Sequence, residues 1–207
     1  MNDIDGGPQR TRQEMWDERH AAREPIESPE PDPTLVEKIG PLAPGGALDL
    51  GAGDGRNAVW LAQQGWHVTA VDFSQVALDR GRALAEREGV DVDWVRADLL
   101  AWTPPSRAFD LVCLVYIHLP REERRLVYAR AAEAVAPGGS LLVVAHDRTN
   151  LDQGGPGPQD PAVLFTAEEV AADLPDLVVA RAETVTRPLD AGRLAIDAVM
   201  RAVRPRG

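Results

Sequence analysis

The residues whose types and spacing most clearly indicate a chemical role form a glycine-rich segment, Asp49–Gly55, which reads Asp-Leu-Gly-Ala-Gly-Asp-Gly. It lies between an apolar run that predicts a buried strand and a helix-compatible stretch that begins at Arg56. Glycines at such a turn remove the Cβ atoms that would keep a ligand away from the backbone. Arg56 replaces the third glycine of the dinucleotide fingerprint, and the sequence contains no G-x-x-x-x-G-K-[ST] motif. The turn therefore favours a ligand bound without a phosphate cradle; the alternative is a tight turn without a ligand.

Two further acids follow predicted strands, and ligands bind at the carboxyl ends of strands in open α/β sheets. Asp72 ends a buried strand about 20 residues after the glycine turn, where a carboxylate can accept both hydroxyls of a ribose. The alternative is that Asp72 caps the next helix, because Phe73 and Ser74 follow it and Asp and Ser are both good caps. Asp98 follows the third predicted strand, and its alternative role is that of a solvated loop acid.

Candidates for proton transfer follow the fourth and fifth predicted strands. His118 comes after the fourth strand and His146 ends the fifth, and Tyr116 is expected to wall the same pocket. For each histidine the alternative is a packing or helix-capping role. The four histidines lack the spacing of a metal site, so no metal is predicted. Arginines such as Arg148 or Arg187 are candidates to hold an anion.

Alternating strands and helices must position these residues. Strands are predicted at 47–50, 66–72, 90–96, 109–116, 140–146, 177–187 and 193–203. Helices are predicted at 11–24, 34–39, 56–64, 75–88, 121–136 and 166–174. Such alternation implies parallel βαβ units, and the short connection between the last two strands predicts a hairpin. The expected fold is a doubly wound α/β domain with a mostly parallel seven-stranded sheet and an antiparallel C-terminal hairpin.

Three segments are expected along the chain. Residues 1–10 are polar and contain glycine and proline, which predicts a disordered tail. Residues 11–44 are predicted to form a helical lid and linker, because four prolines between 25 and 33 favour an extended hinge. Residues 45–207 are predicted to form the catalytic domain.

The composition narrows the class of protein. With 207 residues, 44% hydrophobic and 27% charged, the chain is typical of one soluble domain. No apolar run approaches the roughly 20 residues that span a bilayer, and the polar N-terminus lacks a signal peptide, so a cytoplasmic protein without membrane contact is predicted. The net charge of −11 makes nucleic acid an unlikely partner. Cys113 has no second cysteine with which to form a disulfide, and no feature predicts the oligomeric state.

The order D-x-G-x-G-x-G resembles the first motif of the class I S-adenosylmethionine (SAM)-dependent methyltransferases. The segment Phe109–Val112 resembles the fourth strand of that family, and Pro137–Gly139 resembles the turn before its fifth. The likeness spans residues 45–146. The segment Gly55–Ala62 is similar to small-molecule enzymes related to the TehB tellurite-resistance methyltransferases, and Trp16–Arg19 resembles the lid segment of that group.

This resemblance implies SAM as the cofactor. By likeness to the family, Asp72 binds the ribose, Asp98 accepts from the adenine amino group and the backbone of Leu99 meets the ring edge. Trp16 is implied to lie near the sulfonium and Arg19 to pair with the methionine carboxylate. The complete set of implied cofactor-binding residues is Trp16, Arg19, Asp49, Gly51, Ala52, Gly53, Asp72, Phe73, Asp98, Leu99 and Val115.

Methyl transfer from a sulfonium is an in-line displacement, which mainly requires alignment of donor and acceptor and exclusion of water. An amine or hydroxyl acceptor can need a general base, for which His118, His146 and Tyr116 are the candidate catalytic residues; a thiolate or chalcogen oxyanion needs little such help. We predict a methyltransferase acting on a small-molecule acceptor: a thiol, a metalloid oxyanion or a secondary metabolite. The alternatives are a catalytically silent SAM-binding sensor or partner protein, and an NAD-dependent oxidoreductase, which the missing third glycine disfavours.

Overall fold

The computed structural model describes residues 11–24, 30–152, 155, 157–189 and 193–206. The described helices are α1 (Arg12–Ala21), α2 (Pro33–Ile39), α3 (Arg56–Gln63), α4 (Gln75–Glu88), α5 (Arg121–Ala134) and α6 (Ala167–Ala172). The described strands are β1 (Gly46–Leu50), β2 (His67–Asp72), β3 (Asp93–Arg96), β4 (Phe109–Val115), β5 (Val135–His146), β6 (Val178–Pro188) and β7 (Leu194–Val203). The predicted tail at 1–10 and most of the predicted proline-rich hinge, 25–29, lie outside the described residues.

The strands form one seven-stranded sheet in the order β3-β2-β1-β4-β5-β7-β6. Strands β1 to β5 pair in parallel, whereas β7 pairs antiparallel with both β5 and β6. This is the predicted doubly wound α/β fold with its C-terminal hairpin, and the prediction is confirmed. Because the strand order reverses between β1 and β4, the connections that follow these two strands lead to opposite faces of the sheet, and a crevice forms between them at the carboxyl ends.

Alternation of side chains along β4 shows how the sheet is buried on both faces. Leu111, Cys113 and Val115 pack on the face that α2 and α3 cover, whereas Val112 and Leu114 pack against α5 on the other face. All five side chains are buried, so the apolar run that predicted a strand corresponds to a strand covered by helices on both sides. The packing fixes the carboxyl end of β4, where Tyr116 and His118 follow.

Local capping explains where the helices begin and end. Thr11 and Glu14 form a capping box at the start of α1. Ser74 caps α4 by accepting a hydrogen bond from the backbone N–H of Ala77, at 3.1 Å, and Gly89 ends the helix in the left-handed conformation. Ser74, and not Asp72, is therefore the cap of α4. Asp72 still contributes to the same turn, because its Oδ1 accepts from the backbone N–H of Ser74 at 2.9 Å.

Two strand boundaries differ from the prediction by more than one residue. β3 begins at Asp93 rather than at residue 90, because the residues after α4 are needed for the chain to reverse. β5 begins at Val135, so Pro137–Gly139 lies within that strand instead of preceding it. Val135 pairs with Phe109, the next paired residue is Ser140 opposite Leu111, and the intervening residues bulge out of register. Gly138 and Gly139 therefore lie at an irregularity inside the strand and not in a turn before it.

Candidate functional site

A cavity of about 620 Å³ lies at the carboxyl ends of β1, β2 and β4. This volume falls within the range of small-molecule and cofactor sites, about 300–1,000 Å³. The cavity is lined by residues of the glycine turn, the loops after β2, β3 and β4, and the N-terminal segment: Arg12, Trp16, His20, Arg23, Glu24, Glu30, Gly51, Ala52, Gly53, Asp54, Arg56, Asn57, Asp72, Phe73, Asp98, Leu99, Leu100, Val115, Tyr116, Ile117, His118 and Leu119.

The glycine turn after β1 is held against β2 by backbone hydrogen bonds. The N–H groups of Gly51 and Ala52 both donate to the carbonyl of Val71, at 2.8 and 3.0 Å. Gly51 has a φ of 70°, and a Cβ at that position would collide with the Cδ1 atom of Ile117. The absent side chain at Gly51 thus makes room for the loop after β4, whereas Gly53 leaves its space open to the cavity except for His20, at 3.6 Å.

Asp72 is the buried acid that joins the glycine turn to β2. Its Oδ2 accepts from the backbone N–H of Gly53 at 2.9 Å, and its Oδ1 accepts from Ser74. Burial raises the pKa of Asp72, and the two backbone hydrogen bonds oppose that rise. The carboxylate lines the cavity with lone pairs still available, as binding of hydroxyl groups requires.

Asp49 lies beneath the turn, inside β1, and does not line the cavity. Its side chain is buried, and no described residue donates a hydrogen bond to its Oδ2 atom. Burial, followed by the negative charge of Asp72, raises the pKa of Asp49 to about 7. The pKa of Asp49, the first acid of the motif, therefore lies close to neutral pH.

Of the remaining predicted cofactor residues, all except Arg19 line the cavity. Ala52, Phe73, Asp98, Leu99 and Val115 line the cavity. Asp98 is exposed, and its Oδ1 accepts from the backbone N–H of Leu100 at 2.9 Å. Trp16 also lines the cavity, but the guanidinium of Arg19 lies over the Trp16 ring, 4.9 Å from its centroid, and Arg19 is not among the lining residues. The lining arginines are Arg12, Arg23 and Arg56.

No local sequence pattern indicates the contact between His20 and Asp54. Nδ1 of His20, on α1, lies 2.5 Å from Oδ1 of Asp54, in the glycine turn, and both side chains are at most 8% exposed. Arg80 of α4 donates to the backbone carbonyls of His20 and Arg23, and Ser74 donates to Asp17. His20 is buried, and its contact with Asp54 attaches α1 to the glycine turn.

Polar side chains from four elements meet around Asp197 of β7, and one of them, Tyr116, lines the cavity. Oδ1 of Asp197 lies 3.0 Å from Nδ1 of His146. Oδ2 accepts from Nε of Arg187 at 3.1 Å and from the hydroxyl of Tyr116 at 3.1 Å, and that hydroxyl also accepts from Nη2 of Arg187 at 2.9 Å. Asp197 is fully buried. Burial acts to raise its pKa, but the hydrogen bond of His146 and the charge of Arg187 outweigh it, so the pKa of Asp197 is lowered.

His118 and Tyr116 line the cavity beside this cluster. Nε2 of His118 accepts from the backbone N–H of His146 at 3.2 Å, and a second hydrogen bond joins its ring to the backbone of Tyr116. Burial, followed by the nearby His146, lowers the pKa of His118 to about 4. Tyr116 has a φ of 59°, a strained conformation for a bulky residue, and burial followed by the charges of Asp32 and Asp197 raises its pKa.

His146 is buried behind these two residues and does not line the cavity. Its ring centroid lies 5.4 Å from that of His118 and 4.9 Å from that of Tyr116. The structure thus brings the three predicted catalytic residues together, and it adds Asp197 and Arg187. Asp197 was missed because it lies in an apolar strand about 50 residues beyond His146, and only the β5–β7 pairing makes them neighbours.

Comparison with known proteins supports the same family. Residues 47–139 match the family model described as Methyltransferase domain. An uncharacterised methyltransferase of Mycobacterium tuberculosis is 32% identical over 120 residues, which are 58% of this chain and 60% of that protein. The chain thus spans 60% of the length of this curated relative.

Solved structures at lower identity share the fold. The N-methyltransferase NodS from Bradyrhizobium japonicum, in complex with S-adenosyl-L-homocysteine, has a TM-score of 0.71 and 18% identity, and the match covers 92% of this chain and 97% of NodS. TehB from Haemophilus influenzae has a TM-score of 0.70 and 23% identity, with 84% and 62% covered. Residues 47–139 are thus similar to a methyltransferase domain, and the chain shares the fold of these two methyltransferase structures.

The side chains of the cavity fit SAM, the methyl donor that the resemblance to methyltransferases implies. The molecule carries ribose hydroxyls, a carboxylate, an ammonium and a sulfonium, and the cavity offers Asp72 to the hydroxyls, arginines to the carboxylate and the Trp16 ring to a cation. Gly53 keeps the turn open on the cavity side. Among the described residues, no His, Cys, Asp and Glu side chains are grouped as metal ligands, and every helix is too short or too polar to cross a membrane.

Proposed function

We propose that this protein is a cytoplasmic methyltransferase that transfers the methyl group of SAM to a small-molecule acceptor by in-line displacement. One observation carries the proposal: a single cavity is lined both by the glycine turn with Asp72 and by Tyr116 with His118. We call the first group the cofactor end, and the second, with the Asp197 cluster beside it, the acceptor end. A donor held by the first group therefore shares one cavity with an acceptor held by the second. The net charge of −11 favours a small acceptor over nucleic acid.

At the cofactor end, we assign the binding roles from the geometry and the family likeness. Asp72 binds the ribose hydroxyls, Asp98 accepts from the adenine amino group, and Leu99 contacts the ring. Phe73, Val115 and the backbone of Gly51–Gly53, supported from below by Asp49, form the floor. Bound SAM supplies an electrophilic methyl group on a sulfonium, and Trp16 faces the space where that cation would lie.

The methionine carboxylate needs a cationic partner. Arg19 is the residue that the family likeness implies, but in this conformation its guanidinium stacks on Trp16 outside the cavity lining. Arg56 begins α3 directly after the glycine turn and lines the cavity. The SAM affinities of Arg19→Gln and Arg56→Gln distinguish the two candidates. The arginine whose substitution weakens SAM binding more is the partner of the carboxylate.

We further propose that residues 11–44 act as a lid and linker over the domain formed by residues 45–207. Helix α1 crosses the cavity mouth, because His20 pairs with Asp54 at one end of the helix and Arg12 pairs with Glu123 of α5, at 2.9 Å, at the other. A lid fixed at both ends excludes water from the reacting groups, which strengthens electrostatic interactions inside the cavity.

Calorimetric titration with SAM tests the cofactor assignment. We expect wild type to bind and Asp72→Ala to lose about 10²-fold in affinity, because two charge-assisted hydrogen bonds are removed. Asp72→Asn keeps the size of the side chain and separates loss of charge from disturbance of the turn. Asp91→Ala removes an exposed acid outside the cavity and is the matched control. Absence of binding by wild type, or undiminished binding by Asp72→Ala, contradicts the proposal.

Catalysis is tested separately from binding. Release of S-adenosylhomocysteine is measured with thiols, amines, phenols, carboxylates, tellurite and selenite as acceptors. A catalytically silent SAM-binding protein predicts SAM binding without release in any of these assays. A methyltransferase predicts acceptor-dependent release that is lost in Asp72→Ala.

A further inference from the structure

We propose that Asp197 is a positioning residue that orients His146 as the general base, and that the acceptor is therefore a molecule whose nucleophilic atom carries a proton, such as a hydroxyl, amine or thiol. This inference rests on the proposed function. It separates these acceptors from metalloid oxyanions, which need no deprotonation. The geometry that carries it is the buried contact of 3.0 Å between Oδ1 of Asp197 and Nδ1 of His146.

The hydrogen bonds of Asp197 determine the tautomer of His146. Oδ2 already accepts from Arg187 and Tyr116, and the guanidinium compensates the carboxylate charge. Oδ1 is a pure acceptor, so Nδ1 of His146 must carry a hydrogen. In the neutral ring the lone pair then resides on Nε2, and no described residue hydrogen-bonds to that atom. This is how a carboxylate orients a histidine base in catalytic triads.

His118 lacks an available lone pair despite lining the cavity. Its Nε2 accepts from the backbone N–H of His146, and its ring has a second hydrogen bond to the backbone of Tyr116. Protonation of His118 would break the first of these bonds, because a protonated nitrogen cannot accept. His118 therefore fixes the position of the His146 backbone, and of the two histidines His146 is the one suited to accept a proton.

The imidazole of His146 is packed against the loop after β5 and two residues of the cavity wall. A Cβ at Gly157, in that loop, would collide with Cδ2 of His146 and lie 2.6 Å from Nε2, so glycine, at a φ of 104°, lets the loop backbone approach this edge of the ring. Tyr116 and His118 line the cavity, with ring centroids 4.9 and 5.4 Å from that of His146. An acceptor in the cavity therefore reaches Nε2 only past these two rings.

The reaction balances with these groups alone. A lone pair of the acceptor atom forms the new bond to the methyl carbon, and the carbon–sulfur bond breaks with its electron pair remaining on sulfur. The acceptor proton moves to Nε2 of His146. The positive charge of the sulfonium is thereby replaced by an imidazolium beside Asp197, and the imidazolium then releases its proton to water.

The first experiment requires no acceptor. Long-range ¹H–¹⁵N spectra of the histidine rings report which nitrogen carries the hydrogen, and His146→Asn assigns the signals. We expect the Nδ1–H tautomer for His146 in wild type at pH 8 and its loss or mixing in Asp197→Asn. An Nε2–H tautomer in wild type overturns the proposal, because the lone pair would then face Asp197.

The second experiment measures S-adenosylhomocysteine release at pH 8 with 2-mercaptoethanol, catechol and benzylamine as acceptors that carry a proton on the nucleophilic atom, and with sodium selenite and tellurite as oxyanions. His146→Asn keeps an N–H donor near the position of Nδ1, and so the bond to Asp197, but removes Nε2. We expect His146→Asn and Asp197→Asn each to lower turnover by about 10²-fold with whichever proton-bearing acceptor the wild type methylates. Added imidazole should partly restore His146→Gly, a rescue that a purely structural role does not predict.

The outcomes separate this inference from the proposed function. Turnover of an oxyanion with His146→Asn as active as wild type overturns the inference and leaves the methyltransferase intact. Failure of wild type to bind SAM removes the proposed function itself. If no probe is turned over, the tautomer decides: Nδ1–H supports the orientation by Asp197, and any other state rejects it. Circular dichroism and calorimetric SAM binding identify a variant that has merely failed to fold.

Discussion

The two ends of the cavity are built by different means. The cofactor end is assembled from backbone groups close in sequence: Gly51 and Ala52 donate to the carbonyl of Val71, and Gly53 donates to Asp72. The acceptor end is assembled from side chains far apart in sequence, with Asp197 joining His146 to Tyr116. A site made of backbone needs a short glycine motif, whereas a site made of side chains needs the whole sheet to be in place.

Two buried aspartates, one near each end, have pKa values that are shifted in opposite directions. Asp49 has an oxygen that no described residue donates to, and burial with the charge of Asp72 raises its pKa to about 7. Asp197 is more fully bonded, so Arg187 and His146 lower its pKa despite burial. The cofactor end therefore contains an acid that costs stability when ionised, and the acceptor end contains one that is stable as an anion.

The largest expected effect is on the pH dependence of stability at the cofactor end. The folded pKa of Asp49, about 7, exceeds its ordinary value of 3.8, so the folded state binds a proton that the unfolded state has released. The free energy of unfolding should fall as pH rises from 4 to 7, by about 4 kcal/mol from this group. Asp49→Asn should lack that loss, as measured by urea unfolding across the pH range. Equal pH slopes for the two proteins contradict the assignment.

The acceptor end should respond to pH with the opposite sign. The folded pKa of His118, about 4, lies below its ordinary value of 6.5, so the unfolded state binds the proton first on acidification. The free energy of unfolding should therefore fall as pH drops from 6.5 to 4, by about 3 kcal/mol from this group. His118→Gln retains an acceptor for the His146 amide and cannot titrate, so its unfolding curves should be flatter in that window. A slope unchanged from wild type shows that His118 titrates freely.

The same comparison explains what the sequence could predict. The fold and the glycine turn followed from apolar runs, glycine spacing and acids such as Asp72 at strand ends, all of which are local patterns. The Asp197 cluster depends on the pairing of β5 with β7, and the His20–Asp54 pair depends on how α1 docks, so neither has a local signal. Residues 137–139 were predicted as a turn because the sequence does not specify strand register.

Substitution of Gly51 in the glycine turn should have an intermediate effect on the free energy of unfolding, and substitution of Gly89 is the matched control. Gly51 and Gly89 have nearly the same positive φ, 70° and 67°, but a Cβ at Gly51 meets Ile117 whereas one at Gly89 meets nothing within 4 Å. Both alanine variants incur the left-handed backbone cost, so their difference isolates the collision, about 2 kcal/mol in unfolding free energy. Gly51→Ala should also weaken SAM binding, and Gly89→Ala should not. Equal losses of stability mean that Ile117 moves aside freely.

The smallest expected effect concerns the contact that attaches α1 to the glycine turn. His20 and Asp54 are both nearly buried and 2.5 Å apart, and Arg80 also lies 3.8 Å from Asp54. A double-mutant cycle of His20→Ala and Asp54→Asn, measured by urea unfolding, should give a coupling of about 1 kcal/mol, because Arg80 keeps part of the compensation when His20 is removed. Repeating the cycle with saturating SAM should give a larger coupling if α1 closes over bound cofactor. An unchanged coupling would mean that α1 is a fixed wall of the cavity, and both ends would then be preformed before any ligand binds.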